Sequence, residues 1–253
     1  MIIDKSNAKQ KIGYGLKEGK IVHISTVRRG LECECVCPSC EGKLIAKQGD
    51  SNVHHFAHHD ADGDRCSESV LHKLCKKILE DNKKLWVPET KVEQSADDVL
   101  GENHTLSYIF KERQFHFDRV FLEQSEGDFR PDITAEYIKE KVFIEIKVTH
   151  AVSDDKLIKV QELDVPMIEI DMSGYSAMDD IDKLTDAVLN QAPRTWVYHP
   201  KIQEIEINLQ AAKVSYYKAR CLKIPTIIIF SCLDISLFSD THTRIRVSLI
   251  TQY

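Results

Sequence analysis

No stretch of the 253 residues reaches the ~18 consecutive apolar positions that a membrane helix needs, and no apolar run follows the first methionine. A cytoplasmic chain is therefore expected. A basic excess is missing as well: Lys plus Arg number 34 against 40 Asp plus Glu, a formal charge of −6. That counts against a broad basic surface and leaves room only for local basic patches. The balance is uneven, because residues 191–253 hold eight Lys/Arg and four Asp/Glu, a net of +4 that leaves −10 for the rest. Internal repeats and low-complexity segments are absent too. Apolar and charged fractions of 42% and 29% are those of a globular chain, long enough for one large domain or two smaller ones.

Cysteine is present in quantity. Eight cysteines in a cytoplasmic chain argue for metal ligation or free thiols over disulfides. Six of them lie between positions 33 and 75. Cys37-Pro-Ser-Cys40, followed by Glu-Gly, reads as a C-x₂-C knuckle with Gly42 available for a positive φ. A short strand around Leu44–Ala46 leads to His54-His55-Phe-Ala-His58-His59 and then to Cys66. Two knuckle thiolates, one histidine and Cys66 make a tetrahedral Cys₃His zinc site. The preferred set is Cys37, Cys40, His58 and Cys66, with His55 the rival to His58 and Cys33 and Cys35 adding ambiguity. In so small a module zinc would supply much of the folding energy. A redox role for the C-x₂-C is disfavoured, because no βαβ pattern follows it.

The second concentration of chemistry is residues 130–150. Ile133, Ala135 and Tyr137 alternate with polar neighbours, as do Val142, Ile144, Ile146 and Val148, so two half-buried strands are expected. With Lys139-Glu140 as the turn, Thr134 lies opposite Glu145 and Asp132 opposite Lys147. Asp132, Glu145 and Lys147 then converge on one sheet face. Neither Asn-Gly nor Asp-Gly marks the turn, so the register is open to a slip. Two carboxylates suit a hard cation such as Mg²⁺, and a lysine beside them suits a phosphodiester transition state. The bland alternative is a surface hairpin with ordinary Glu/Lys alternation.

A helix from Ser67 to about Lys83 carries Val70, Leu71, Leu74, Cys75, Ile78 and Leu79 at helical spacing. Glu68 and His72, four apart, share a face. They are either a capping glutamate and a surface histidine, or a supplement to the carboxylate site.

The order Cys-Pro-Ser-Cys, His-Phe-Ala-His, Cys66-Ser-Glu-Ser-Val-Leu-His72, Pro131-Asp132 and Glu145-Ile146-Lys147-Val-Thr-His150 resembles the competence protein CoiA-like family. That family is similar to the PD-(D/E)xK nuclease superfamily, with a zinc module before the nuclease core. The resemblance covers roughly residues 33–175. It implies Mg²⁺ or Mn²⁺ held by Asp132, Glu145 and the Ile146 carbonyl, Lys147 as the catalytic lysine, and roles for Glu68 and His72. His150 and Lys156 fit its stretch after the E-x-K strand. No acidic or lysine position of the pattern is lost.

Residues 105–110 and 115–122 read as strands before the hairpin, with a place as outer strands of the sheet. Ser153 caps a helix to about Leu163, with a solvent-facing Gln161 near its end. The strand 165–171 follows, parallel to the E-x-K strand because a helix separates them. Ser176-x-x-Asp179 resembles a capping box. The stretch from Arg194 to Pro200 mixes basic and aromatic groups; Trp196 and Tyr198 suit base stacking, but core packing is the favoured reading. A helix over 201–220 and a strand over 224–230 complete the chain.

The expected fold is α/β, a mixed sheet flanked by helices with a restriction-endonuclease-like core, and a small zinc-binding β-rich module before it. The expected boundaries are 1–66 for that module, 67–192 for the nuclease-like core and 193–253 for a C-terminal extension. The expected function is metal-dependent hydrolysis of nucleic acid, DNA foremost. Its rival is a non-catalytic nucleic-acid-binding accessory protein in DNA uptake, recombination or defence against foreign DNA.

Overall fold

A computed structural model describes residues 11–60, 66–97 and 103–221. They fall into two units: Met1–Val87 with Gln114–Tyr198, and Pro88–Arg113 with His199–Tyr253.

Short strands dominate the start of the first unit. β1 (Tyr14–Lys17) and β2 (Lys20–His23) form a hairpin over Glu18-Gly19, both at positive φ as a type I′ turn requires. β3 (Leu44–Lys47) and β4 (His55–His58) form a second antiparallel pair. Isolated bridges Leu16↔Val36, Val36↔Lys43 and Ile12↔Phe56 tie the pieces together around buried Tyr14, Leu44 and Phe56. Next comes α1 (Cys66–Asn82), whose Val70, Leu71, Leu74, Cys75, Ile78 and Leu79 are all buried, as the spacing predicts. It starts one residue before the expected cap. Lys83, at φ 50, ends it by donating its N–H to Leu79 O.

After β5 (Lys84–Val87) the chain enters the second unit. There β6 (Thr90–Asp97) and β7 (Asn103–Phe110) form a long antiparallel pair. Residues 105–110 thus lie outside the main sheet, contrary to expectation, because their full-length partner is β6. β8 (Arg113–His116) pairs with β5, and β9 (Arg119–Leu122) returns to the main sheet.

That sheet continues with β10 (Ile133–Tyr137), β11 (Glu140–Lys147), α2 (Asp154–Leu163), β12 (Met167–Asp171), α3 (Ile181–Asp186) and β13 (Arg194–Tyr198). Its order is β13-β12-β11-β10-β9. β11 and β12 are parallel and every other pair is antiparallel. The parallel pair follows from the α2 crossover, whose N-cap Ser153 accepts the Lys156 N–H. Ile133, Ile144, Ile146, Ile168 and Ile170 pack on one face with the apolar stripe of α1. Phe143 and Met167 pack on the other with Val160 of α2, Phe129 and Tyr198. The fold is therefore mixed α/β, with helices on both faces of the sheet.

Three expectations need correction. The β10–β11 turn is Ile138-Lys139, both at positive φ, so Tyr137 pairs with Glu140 and Ile133 with Ile144. The slip moves each opposed pair by two positions and keeps every side chain on its face. α3 is capped by Asp180, which accepts from Asp182 N–H; the Ser176/Asp179 box instead closes the turn before it. Arg194–Tyr198, expected in the extension, is an edge strand of the sheet. Arg194 is buried and donates to the carbonyls of Trp86, Ala187, Val188, Leu189 and Ala192, so it serves the π-helical turn Ala187–Gln191. Trp196 and Tyr198 pack against the two cores.

In the second unit, α4 (Pro200–Cys221) realises the expected helix and packs on β6. The strand expected at 224–230 lies outside the described residues.

Candidate functional site

Two clusters of chemistry-bearing side chains form in the first unit. The thiol cluster begins with the turn Cys37–Gly42, closed by Glu41 N–H to Cys37 O and Cys37 N–H to Gly42 O. Glu41, not Gly42, takes the positive φ. Gly42 matters for space instead: a Cβ there would stand 3.3 Å from Cys40 Sγ and 3.5 Å from His58 Cδ2. His58 comes from β4 and Cys66 is the first residue of α1. The ligand atoms of Cys37, Cys40, His58 and Cys66 all lie within 4.8 Å of one another, so the four could bind zinc. This is the preferred set. His55 is turned away, its ring donating to Val53 O at 2.8 Å. Cys33 and Cys35 are buried and bonded to Leu44 O and Cys33 O. Burial pushes the Cys37 thiol up to about 12. Cys40 lies below its ordinary value: burial works against that, but the Gly42 N–H and the Cys66 and Cys37 thiols favour its thiolate.

The carboxylate cluster sits where β11 and β12 end and β10 begins, the carboxyl edge of the parallel pair. Ligands of open α/β sheets bind at that edge. Asp132 N–H donates to Glu145 Oε1 at 3.2 Å, and Ile146 N–H donates to Asp132 Oδ2 at 2.9 Å. The corrected register therefore sets Asp132 opposite Glu145. α1 contributes His72, whose Nε2 meets Asp132 Oδ2 at 2.8 Å, and Lys76, whose Nζ is 3.9 Å from Asp132 Oδ1. α2 contributes Lys156, which pairs with Glu145 Oε2 at 2.5 Å.

Lys147 is not opposite Asp132. It shares the face of Glu145 but pairs with Asp171 Oδ2 of β12 at 2.7 Å, following the parallel register Lys147↔Asp171. The lysine that touches Glu145 is Lys156. His150 is exposed and bonded to Thr149 Oγ1, and the side chain of Glu68 lies outside the described residues. Gln161 faces solvent as expected. Lys76, Glu123 and Asp171 went unnoticed in the sequence. Only the i, i+4 spacing of His72 and Lys76 could have flagged one of them.

Electrostatics separate the two acids. Burial, then the charge of Asp132, pushes Glu145 up to about 7 against the pull of Lys156. Asp132 lies below its ordinary value: burial opposes this, but His72, the Ile146 N–H and Lys76 outweigh it. Two hard oxygen donors held together at the cost of a raised carboxyl are a set that a divalent cation would relieve.

The family model described as competence protein CoiA, N-terminal domain, matches residues 17–63. That segment holds β2, β3, β4, the Cys37–Cys40 turn and His58, and it is similar to that domain. No curated protein and no solved structure matches the chain.

Proposed function

We propose that the chain is a Mg²⁺- or Mn²⁺-dependent nuclease, acting on DNA in the cytoplasm, with a zinc-stabilised N-terminal module. The observation that carries this is the juxtaposition of half-buried Asp132 and buried Glu145 at the carboxyl edge of the sheet, with the Asp132 N–H donating to Glu145 Oε1. Asp132 and Glu145, with the Ile146 carbonyl, would hold the divalent cation, which on binding would acidify a water and neutralise phosphate charge. His72 and the Ile146 N–H both fix Asp132 at Oδ2. Lys147 and Lys156 are the partly exposed cations of the cluster, within reach of a phosphate oxygen or a water. Displacement in line with the leaving 3′ oxygen would leave a 5′ phosphate. A mixed sheet with a helical crossover after the E-x-K strand supports a restriction-endonuclease-like core. Among the described residues, no helix is long and apolar enough to cross a membrane.

The test is incubation of purified protein with circular single-stranded and supercoiled DNA plus Mg²⁺ or Mn²⁺. Nicks are expected with the wild type and not with Asp132→Ala or Glu145→Ala. Equal nicking by both variants would assign the activity elsewhere.

One observation favours a second reading, the accessory protein. Both oxygens of Glu145 and Oδ2 of Asp132 already accept from protein donors. A chain that binds DNA alike in wild type and variants, and nicks none, would be that protein.

A further inference from the structure

Lys76 is a lysine in an unusual place. It is only 4% exposed, so it cannot touch a substrate. It leaves α1 one turn after His72, and the two side chains meet the two oxygens of one carboxylate: His72 at Oδ2, Lys76 at Oδ1. Its shorter contact, 2.5 Å, is Glu123 Oε1. Glu123 is bound to the same place twice over. Its N–H donates to Asp132 O at 2.9 Å, and its other carboxylate oxygen pairs with Arg130. One buried ammonium is therefore shared between Asp132 and Glu123, while Lys156 serves Glu145 alone.

A fixed positive charge 3.9 Å from a carboxylate oxygen stabilises that carboxylate and opposes a second cation arriving there. We propose that Lys76 is a positioning residue of the carboxylate site, an internal counter-ion that holds Asp132 ready and sets how tightly it takes a divalent cation. Glu123 decides how much of the Lys76 charge Asp132 feels. The inference rests on Asp132 and Glu145 being the cation-holding pair. The competing role for Lys76 is a plain staple between α1 and the end of β9.

Opposite signs separate the two roles. Lys76→Met keeps the length and apolar stem but removes the charge, and Glu123 retains Arg130. Glu123→Gln leaves Lys76 with Asp132 as its carboxylate partner. Neither variant strands a buried charge. Mn²⁺ affinity of the zinc-loaded full chain is measured by calorimetry, with zinc content and melting temperature alongside. Lys76→Met is expected to bind Mn²⁺ roughly tenfold tighter than wild type, and Glu123→Gln several-fold weaker. A staple would weaken binding in both variants. Lys76→Met binding no tighter than wild type, with zinc retained, overturns the proposal, as does Mn²⁺ binding by neither protein. Should Lys76→Met fail to fold, Glu123→Gln decides, and affinity at or above wild type overturns the proposal. Nicking is scored separately. The expected order of affinities without cleavage sinks the nuclease and leaves the counter-ion; cleavage with the wrong order does the reverse.

Discussion

Glu145 has a carboxyl that burial and a neighbouring charge push up to about 7, and this has a sign in stability. Its folded value lies above the ordinary carboxylate value, so the folded chain binds the proton more tightly than the unfolded one. The stability so gained is fully present below the unfolded value and is lost as pH rises through about 7. A shift of this size corresponds to on the order of 3 kcal/mol. In buffer free of magnesium and manganese, urea midpoints should fall between pH 5 and pH 8, and Glu145→Gln should flatten that fall. A wild type whose midpoint rises across the window would contradict it. Asp132 has the opposite sign, its contribution being lost as pH falls through its lowered value.

Cleavage should separate the charged residues further. Asp132→Ala and Glu145→Ala are expected to abolish nicking and to leave DNA binding similar or tighter, because repulsion of phosphate falls; gel shifts beside nicking assays measure both. Lys147→Ala should slow nicking by about 10²–10³ and leave Mn²⁺ affinity within a few-fold, since the Lys147 charge is paired with Asp171 rather than with Asp132 or Glu145. At this scale the set Cys37, Cys40, His58 and Cys66, which could bind zinc, was legible, because a C-x₂-C and a histidine cluster leave few combinations. The carboxylates were legible as residues and as a face. Their partners were not, because Lys156, Lys76 and Asp171 reach the site from other elements, and one strand pattern carries no record of them.

Elements show why the register slipped. A two-residue type I′ turn wants Asn-Gly, and here Ile138 and Lys139 take the left-handed conformation. A β-branched residue is disfavoured there by roughly 1–2 kcal/mol. The sequence therefore hides its own turn, although Ile138 N–H is held by Asp118 Oδ2 at 3.1 Å. Replacing Ile138-Lys139 with Asn-Gly should raise stability by about 1 kcal/mol, read as a higher urea midpoint with nicking unchanged. A loss of stability would place the turn elsewhere. Helices were the easier elements: α1 and α2 came within a residue of expectation because their stripes and the Ser153 cap are local signals. β7 and β13 were misplaced because pairing partners are not local. The partners of Arg194 were illegible for a related reason, since its carbonyl acceptors lie in Trp86 and in the turn over residues 187–192.

At the scale of the whole molecule, the N-terminal module and the main sheet belong to one unit, and Gly13 N–H reaches Ala177 O while Tyr14 OH reaches Asp179 O. One zinc per chain is expected in protein purified without added metal, as elemental analysis would show. Cys40→Ser should lower that content and the melting temperature together. An ordered module without zinc would refute the assignment. The mixed α/β class was readable from the alternation of strand and helix patterns. The excursion of β6 and β7 into a second unit was not, because no composition shift marks Pro88 or Arg113.

α1 opens with Cys66 of the thiol cluster, and its Lys73 donates to Pro38 O at 2.7 Å and Ser39 O at 3.3 Å inside the knuckle. The residue before Lys73 is His72, on Asp132. A single rod thus has one end in the thiol cluster and its middle resting on a carboxylate. Opening of the thiolate end by a chelator or an oxidant should be felt as local unfolding along the rod. Hydrogen exchange would record it where no ligand binds: the Ile146 amide, whose acceptor is Asp132, should lose protection in step with the amides of Val70 to Leu74. Ile146 staying protected while those amides exchange would mean that the two ends of the rod open independently.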